Sequence, residues 1–292
     1  MKDVPTYKRQ RALLELAGNL DESVSPTEFQ KLMFLRMMET GASHYDFVPY
    51  LYGPYSFQLA EDVITLRKKG FLLGDTHRIQ AAKPYQTTLE ELTDKSNVAT
   101  ERGDDLVRKV YREYPYYTIN STILWRLFRN DSNEMTRLLH ERDRYKINEQ
   151  VLFTIGYEGR SLESFFNTLL QNGVHALCDV RKNALSRKYG FSREKLEQVS
   201  HGVQIKYFAF PDLGIESDKR KALANEDDYR ELFSDYAKAM PTRTRALNRL
   251  YEVFQKEGRI ALMCYEKQPE MCHRHVIRDW LCANHPIRSI NL

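Results

Sequence analysis

Six residues in the C-terminal half carry side chains suited to chemistry on a charged substrate: Asp179, Arg181, Glu266, Cys272, His273 and Arg274. Arginine holds phosphate through forked N–H contacts that lysine cannot copy, so Arg181, Arg187 and Arg274 together are read as an anion grip. Asp179 and Glu266 supply carboxylates for a general base or an electrostatic stabiliser. Hydrolysis of a base–sugar bond needs such groups, one to activate water and one to support an oxocarbenium-like state, as in glycoside cleavage. Cys272 and His273 stand at a predicted helix start, where free N–H groups favour anions and a thiol pKa can fall. The expected catalytic set is therefore Asp179, Glu266 and Cys272. The plain alternative for Asp179 and Arg181 is an ion pair that satisfies itself. Cys264 reads as inert packing, and Cys178 and Cys282 as core. A metal site at Cys264, Cys272 and His273 is set aside, because only three ligands appear and the seven residues between the two cysteines match no usual zinc spacing. No metal and no cofactor is expected.

These residues must be positioned by the elements around them. From Val151 onward, short apolar runs alternate with amphipathic stretches: Val151–Ile155, Val174–Val180, Val203–Phe210 and Arg259–Cys264 read as strands, with helices between them. Continuous apolar strands alternating with helices indicate an α/β domain over 149–292, a mostly parallel sheet with helices on both faces. Ligands of such sheets bind outside the carboxyl ends of the strands. Gly156, Tyr157 and Glu158 follow the first strand, and Asp179, Arg181, Ser186 and Arg187 follow the second. Tyr207 and Asp212 belong to the third strand end, and Glu266, His273 and Arg274 to the fourth. Those that are not catalytic are expected to bind substrate.

The same residues carry a resemblance. Thr154-Ile155-Gly156-Tyr157, Cys178-Asp179-Val180-Arg181, Ser186-Arg187, Tyr207 with Asp212-Leu213-Gly214, and Cys264-Tyr265-Glu266 with Cys272-His273-Arg274 are similar to the motifs of the domain-of-unknown-function 488 family. The resemblance implies the fold and leaves the activity open. The family's pattern usually has a proline between the Asp-Val-Arg box and the serine. Here the stretch reads Lys182-Asn183-Ala184-Leu185, which implies a different loop. The strand ending in Cys264 also resembles rhodanese-type sulfurtransferases, although Tyr265 to Met271 is too long and acidic for their tight cysteine loop.

Residues 1–148 read as a separate, mainly helical domain. Residues 6–19 have helical periodicity, and Ser25-Pro26-Thr27-Glu28 is a helix start with a capping box. A short strand is expected over 45–51, a turn at Gly53-Pro54-Tyr55-Ser56, a third helix over 56–69 closed by Gly70, and one or two strands over 71–88. Helices are expected over 104–113, 118–129 and from about 130 to 146. The Tyr-Gly-Pro-Tyr-Ser box and Leu66-Arg67-Lys68-Lys69-Gly70 resemble winged-helix-like modules of bacterial regulators and defence-associated proteins. That resemblance implies nucleic-acid contact through Tyr55, Arg67, Lys68 and Lys69, with DNA ahead of RNA. The tyrosines at 111, 114, 116 and 117 are read as clamps between helices.

The bulk numbers fit this reading. Of 292 residues, 42% are hydrophobic and 29% charged, values at which each half can bury a core. A net charge of +4 permits nucleic acid without requiring it. No apolar run suggests a signal peptide or membrane span, and the four cysteines show no disulfide pattern, so a cytoplasmic setting is expected. Three functions are compatible: an N-glycosidase-like enzyme acting on nucleic acid or a nucleotide, a DNA-binding regulator that senses a nucleotide or modified base, and a sulfurtransferase.

Overall fold

A computed structural model describes residues 5–73, 75–82, 99–216, 218 and 226–292. The chain forms two compact units, Met1–Asp143 and Arg144–Leu292. No helix among the described residues is long and apolar enough to cross a membrane.

The first unit opens with α1 (Lys8–Gly18) and α2 (Pro26–Thr40). Ser25 and Glu28 form the reciprocal capping box at the start of α2, as the spacing predicts. The hairpin β1 (Val48–Tyr50) and β2 (Gly53–Tyr55) follows. The expected turn at 53–56 is thus a strand, and the chain reverses at Leu51 and Tyr52. Next come α3 (Phe57–Lys68), capped by Ser56, and the short antiparallel pair β3 (Leu72–Leu73) and β4 (Gln80–Ala81), with a separate bridge between Val24 and Ile79 next to β4. The expected strand beyond residue 82 lies outside the described residues.

Among the described residues, three further α-helices follow: α4 (Gly103–Glu113), α5 (Leu124–Phe128) and α6 (Ser132–Asp143). The helix expected over 118–129 is broken instead, with a 3-10 turn over Pro115–Thr118 preceding the short α5. Pro115 starts that turn because its fixed φ and missing N–H suit a first helical position. Tyr114 and Tyr117 pack edge-on against Phe34, at 4.9 and 4.6 Å. Tyr111 is fully buried, with its hydroxyl against Ser121. These rings clamp the helices as expected.

The second unit is a five-stranded, all-parallel sheet of β5 (Val151–Gly156), β6 (Ala176–Asp179), β7 (Lys206–Ala209), β8 (Arg259–Cys264) and β9 (Ser289–Asn291), in the order β7-β6-β8-β5-β9. Its helices are α7 (Leu162–Gln171), α8 (Arg193–Gly202), α9 (Glu226–Lys238), α10 (Thr244–Glu257) and α11 (Arg274–Asn284). Ala176, Cys178, Val180, Ile260, Leu262 and Cys264 pack in one core with α9, α10 and α11. Leu177, Asp179, Ala261 and Met263 alternate with them and are also buried, so both faces are covered. Neighbouring β6 and β8 lead in opposite directions, β6 outward to β7 and β8 past β5 to β9. The crevice at their carboxyl ends is the topological switch point, the usual ligand position of such sheets.

Lys31 of α2 is 1% exposed, and its Nζ donates to the Pro54 carbonyl at 3.2 Å. Burial pushes its pKa down from 10.5 to about 7. Between those values the unfolded chain holds a proton that the folded chain lacks, so stability rises with pH across that window. Below pH 7 the full penalty stands, on the order of a few kcal/mol at about 1.4 kcal/mol per unit. Lys31→Met is expected to stabilise the unit near neutral pH, with the gain over wild type shrinking towards about pH 10 in urea unfolding. A gain that is the same at both ends of the range would show that Lys31 keeps its charge in the fold.

Candidate functional site

Asp179 is the last residue of β6, and Arg181 turns back over it. Arg181 Nε and the Arg181 backbone N–H donate to Asp179 Oδ1 at 2.8 and 3.1 Å. Arg181 Nη2 donates to Oδ2 at 2.6 Å, and the Tyr207 hydroxyl donates to the same oxygen at 2.7 Å. Arg181 Nη1 donates to the Tyr157 hydroxyl and the Phe191 carbonyl. The Asp179 and Arg181 side chains are 1% and 6% exposed. Burial disfavours the Arg181 cation, but its hydrogen bonds to Asp179 and the charge of that carboxylate outweigh this and hold its pKa above the ordinary value. Burial, followed by the Asp179 charge, keeps the Tyr207 hydroxyl protonated well beyond its usual range. With both carboxylate oxygens accepting two bonds each, Asp179 has no lone pair to spare for activating water. The geometry is the self-satisfied ion pair, not a free general base.

Beside this network lies a cavity of about 430 Å³ at the carboxyl ends of β6 and β7, lined by Asp179, Arg181, Lys182, Asn183, Ser192 and Arg193 among others. Arg193 is the first residue of α8, and the side chain of its N-cap, Ser192, makes no capping bond. Lys182 pairs with Glu216 and Arg193 with Glu197, in exposed contacts that a ligand can replace at little cost. Asn183 and Arg193 are not among the residues singled out from sequence. The helix expected between the second and third strands is the signal that could have found them, since its N-terminus lies on the strand-end side of the sheet.

Glu266 and Arg274 do not line this cavity. Cys264 and Cys272 belong to the core on the α11 face of the sheet, and alternation along β6 turns Asp179 to the other face. The expected single pocket is thus two clusters. In the second, Cys264, Cys272 and His273 gather with their ligand atoms within 4.8 Å of one another, all buried. Their sequence spacing does not keep them apart. Glu266 Oε2 is 3.4 Å from Cys264 Sγ. Burial, and then hydrogen bonding to Cys264, pushes the Cys272 thiol up, the opposite of the activation expected at a helix start.

The loop carrying Glu266 is seated from both sides. Arg274, 1% exposed, donates from Nη1 to the Glu266 carbonyl and from Nη2 to that of Lys267. Its guanidinium therefore holds backbone instead of facing a substrate anion. Glu158 accepts from the Lys267 N–H at 2.9 Å, and its own N–H donates to the Tyr265 carbonyl. A Cβ on Gly156 would lie 1.9 Å from the Glu266 carbonyl oxygen, so only glycine lets the loop pack there. Tyr157 stacks on Phe191 at 4.3 Å, and its hydroxyl lies 3.4 Å from that of Ser186. Arg187 and the Asp212 side chain are exposed. Cys178 is core as expected, whereas Cys282 is half-buried.

In the first unit, Lys68 and Lys69 are exposed. Tyr55 and Arg67, also expected to meet nucleic acid, make contacts within the fold. Arg67 donates to the Arg78 carbonyl, and the Tyr55 ring packs 5.3 Å from Tyr50 and 4.9 Å from Phe57. The Tyr-Gly-Pro-Tyr-Ser box is structural: Pro54 accepts from Lys31, Ser56 exchanges backbone bonds with Gln30, and Gly53 (φ +95°) meets the Tyr111 ring where a Cβ would stand.

Residues 161–281 match the family model of DUF488, a domain of unknown function. The DUF488 match takes in the Asp179–Arg181 pair, the cavity and the Cys264–Cys272–His273 cluster, and begins just after Gly156, Tyr157 and Glu158. No curated protein and no solved structure matches the chain.

Removing the cation from the buried pair strands the Asp179 charge. Arg181→Met is expected to cost about 3–5 kcal/mol in urea unfolding, and Tyr207→Phe about 1–2 kcal/mol for one charge-assisted bond. Equal losses for the two variants would mean that water already reaches Asp179.

Proposed function

We propose that the C-terminal unit is a binding module for a nucleotide-sized, phosphate-bearing ligand, and that the N-terminal unit docks on DNA, making the chain a regulator that responds to a nucleotide or modified base. The observation that carries this reading is the cavity of about 430 Å³ at the ends of β6 and β7, with Arg181, Lys182 and Arg193 on its walls. Its volume suits a small ligand, and few polar groups fix the orientation. Lys182 and Arg193 can leave their exposed carboxylate partners for phosphate, while Asn183 and the Ser192 hydroxyl offer neutral hydrogen bonds for a base or sugar. The N-terminus of α8 adds N–H donors on the same side.

Binding is favoured over hydrolysis because the N-glycosidase-like reading asks for two unencumbered carboxylates in one pocket. Asp179 is consumed by Arg181 and Tyr207, and Glu266 stands beside Cys264 in the other cluster. Transfer of sulfur from Cys264 finds little support in a side chain that is 1% exposed. For the first unit, the succession α1, α2, α3 and the β3–β4 hairpin with its Val24 bridge supports a winged-helix reading. Lys68, at the end of α3, is then a natural phosphate contact.

Titration calorimetry with nucleoside mono- and diphosphates is expected to detect binding, weakened at least about tenfold by the double variant Lys182→Ala/Arg193→Ala. Unfolding of that variant should match wild type, since only exposed pairs are lost. Heat signals absent for every nucleotide and for free phosphate would refute the ligand reading. Separately, affinity for duplex DNA should fall as salt rises, with a shallower slope after Lys68→Ala; a flat salt response would overturn the DNA-docking half.

A further inference from the structure

The buried cluster at the switch point has a geometry that packing alone does not require. Cys264 Sγ and Cys272 Sγ lie 3.8 and 3.9 Å from the same atom, His273 Nδ1. All three residues are at most 1% exposed. His273 Nε2 lies 2.9 Å from the Val180 carbonyl, which can only accept, so Nε2 carries the proton and Nδ1 presents a lone pair to both sulfurs. The Cys272 thiol can donate to that lone pair and the Cys264 thiol to Glu266 Oε2 at 3.4 Å, so two sulfurs, the imidazole nitrogen and a carboxylate are gathered together. A histidine that ligates a metal typically donates its other N–H to a backbone carbonyl in this way. With bonds of about 2.3 Å to sulfur and about 2.0–2.1 Å to nitrogen, a tetrahedral ion separates S and N by ~3.6 Å, close to what the cluster already has.

We propose that Cys264 Sγ, Cys272 Sγ and His273 Nδ1 bind one thiophilic divalent cation, Zn(II) by donor set, with the fourth corner turned towards the Glu266 carboxylate. Two sulfurs and an imidazole select such an ion over Mg(II) or Ca(II), which prefer oxygen. Uptake releases the two thiol protons to solvent. The fourth side is the accessible one, because Glu266 is only half-buried while the other three are enclosed. Its loop is pinned by Arg274, Glu158 and the bare Gly156, so Glu266 is held next to Cys264 without the metal. The site is independent of the nucleotide cavity, and either could fail without the other.

The test uses the 292-residue chain without an affinity tag, stripped by chelator under reducing conditions. Titration with Zn(II) against a chromogenic chelator is expected to give one equivalent bound. Co(II) in its place should show a thiolate-to-metal charge-transfer band and the strong visible bands of a tetrahedral site. Cys272→Ser should abolish the charge-transfer band; the wild-type spectrum decides the matter even if that variant does not fold. Failure of the wild type to compete for Zn(II), a Co(II) spectrum without thiolate bands, or a Cys264–Cys272 disulfide that persists in reductant would overturn the proposal.

Discussion

The arrangement of the sheet edge depends on one buried ion pair. Asp179 and Arg181 are two residues apart, at the point where β6 ends and the chain must leave the sheet. Neither charge could be buried alone, because an isolated ion in a low-dielectric interior costs several kcal/mol. Paired twice over, with Tyr207 on the acid and Tyr157 and the Phe191 carbonyl on the base, they form a neutral, saturated unit. That unit ties β6 to β7 through Tyr207 and to the end of β5 through Tyr157. It thereby sets the floor of the cavity and directs the 182–193 segment over it. Two of the residues most suggestive of catalysis, Asp179 and its partner Arg181, are thus those that build the scaffold.

Much of this fold was legible in the sequence. Apolar runs at 151–155, 174–180, 203–210 and 259–264 correspond to the strands; β5, β6 and β8 are covered on both faces and have no polar side to break the run, whereas the edge strand β7 opens on the exposed Lys206. Ser25-Pro26-Thr27-Glu28 and Gly70 mark helix ends through local bonding that needs no tertiary context. What could not be read was which side of the sheet a strand-end residue serves. Asp179 and Val180 are adjacent in sequence, yet pleating sends one to the ion pair and the other to the core shared with Cys264. The expected convergence of Asp179, Glu266 and Arg274 foundered on that alternation. The Tyr-Gly-Pro-Tyr-Ser box misled for another reason: its glycine and proline suggested a loop, whereas Gly53–Tyr55 pair with β1 as a strand and are packed by Lys31 and Tyr111, far away in sequence. Cys264 and Cys272 were judged by spacing, but the curl of the 265–271 loop brings them together whatever the residue count.

Two polar clusters therefore share one edge of the sheet, back to back across β6. They meet at Val180, whose flanking residues belong to the ion pair and whose carbonyl orients His273. The DUF488 match covers both clusters, so neither is an appendage to the domain.

The seating of the Glu266 loop has an evolutionary corollary. Gly156 admits the loop by having no side chain, and Arg274 draws it in by gripping two carbonyls. Both act on the same few atoms, so loss of either weakens what the other secures. Damage at the two positions would accordingly saturate instead of adding. Drift at one site relaxes selection on its partner, and departures from glycine at 156 should travel with remodelling of residues 265–268 as a single inherited block.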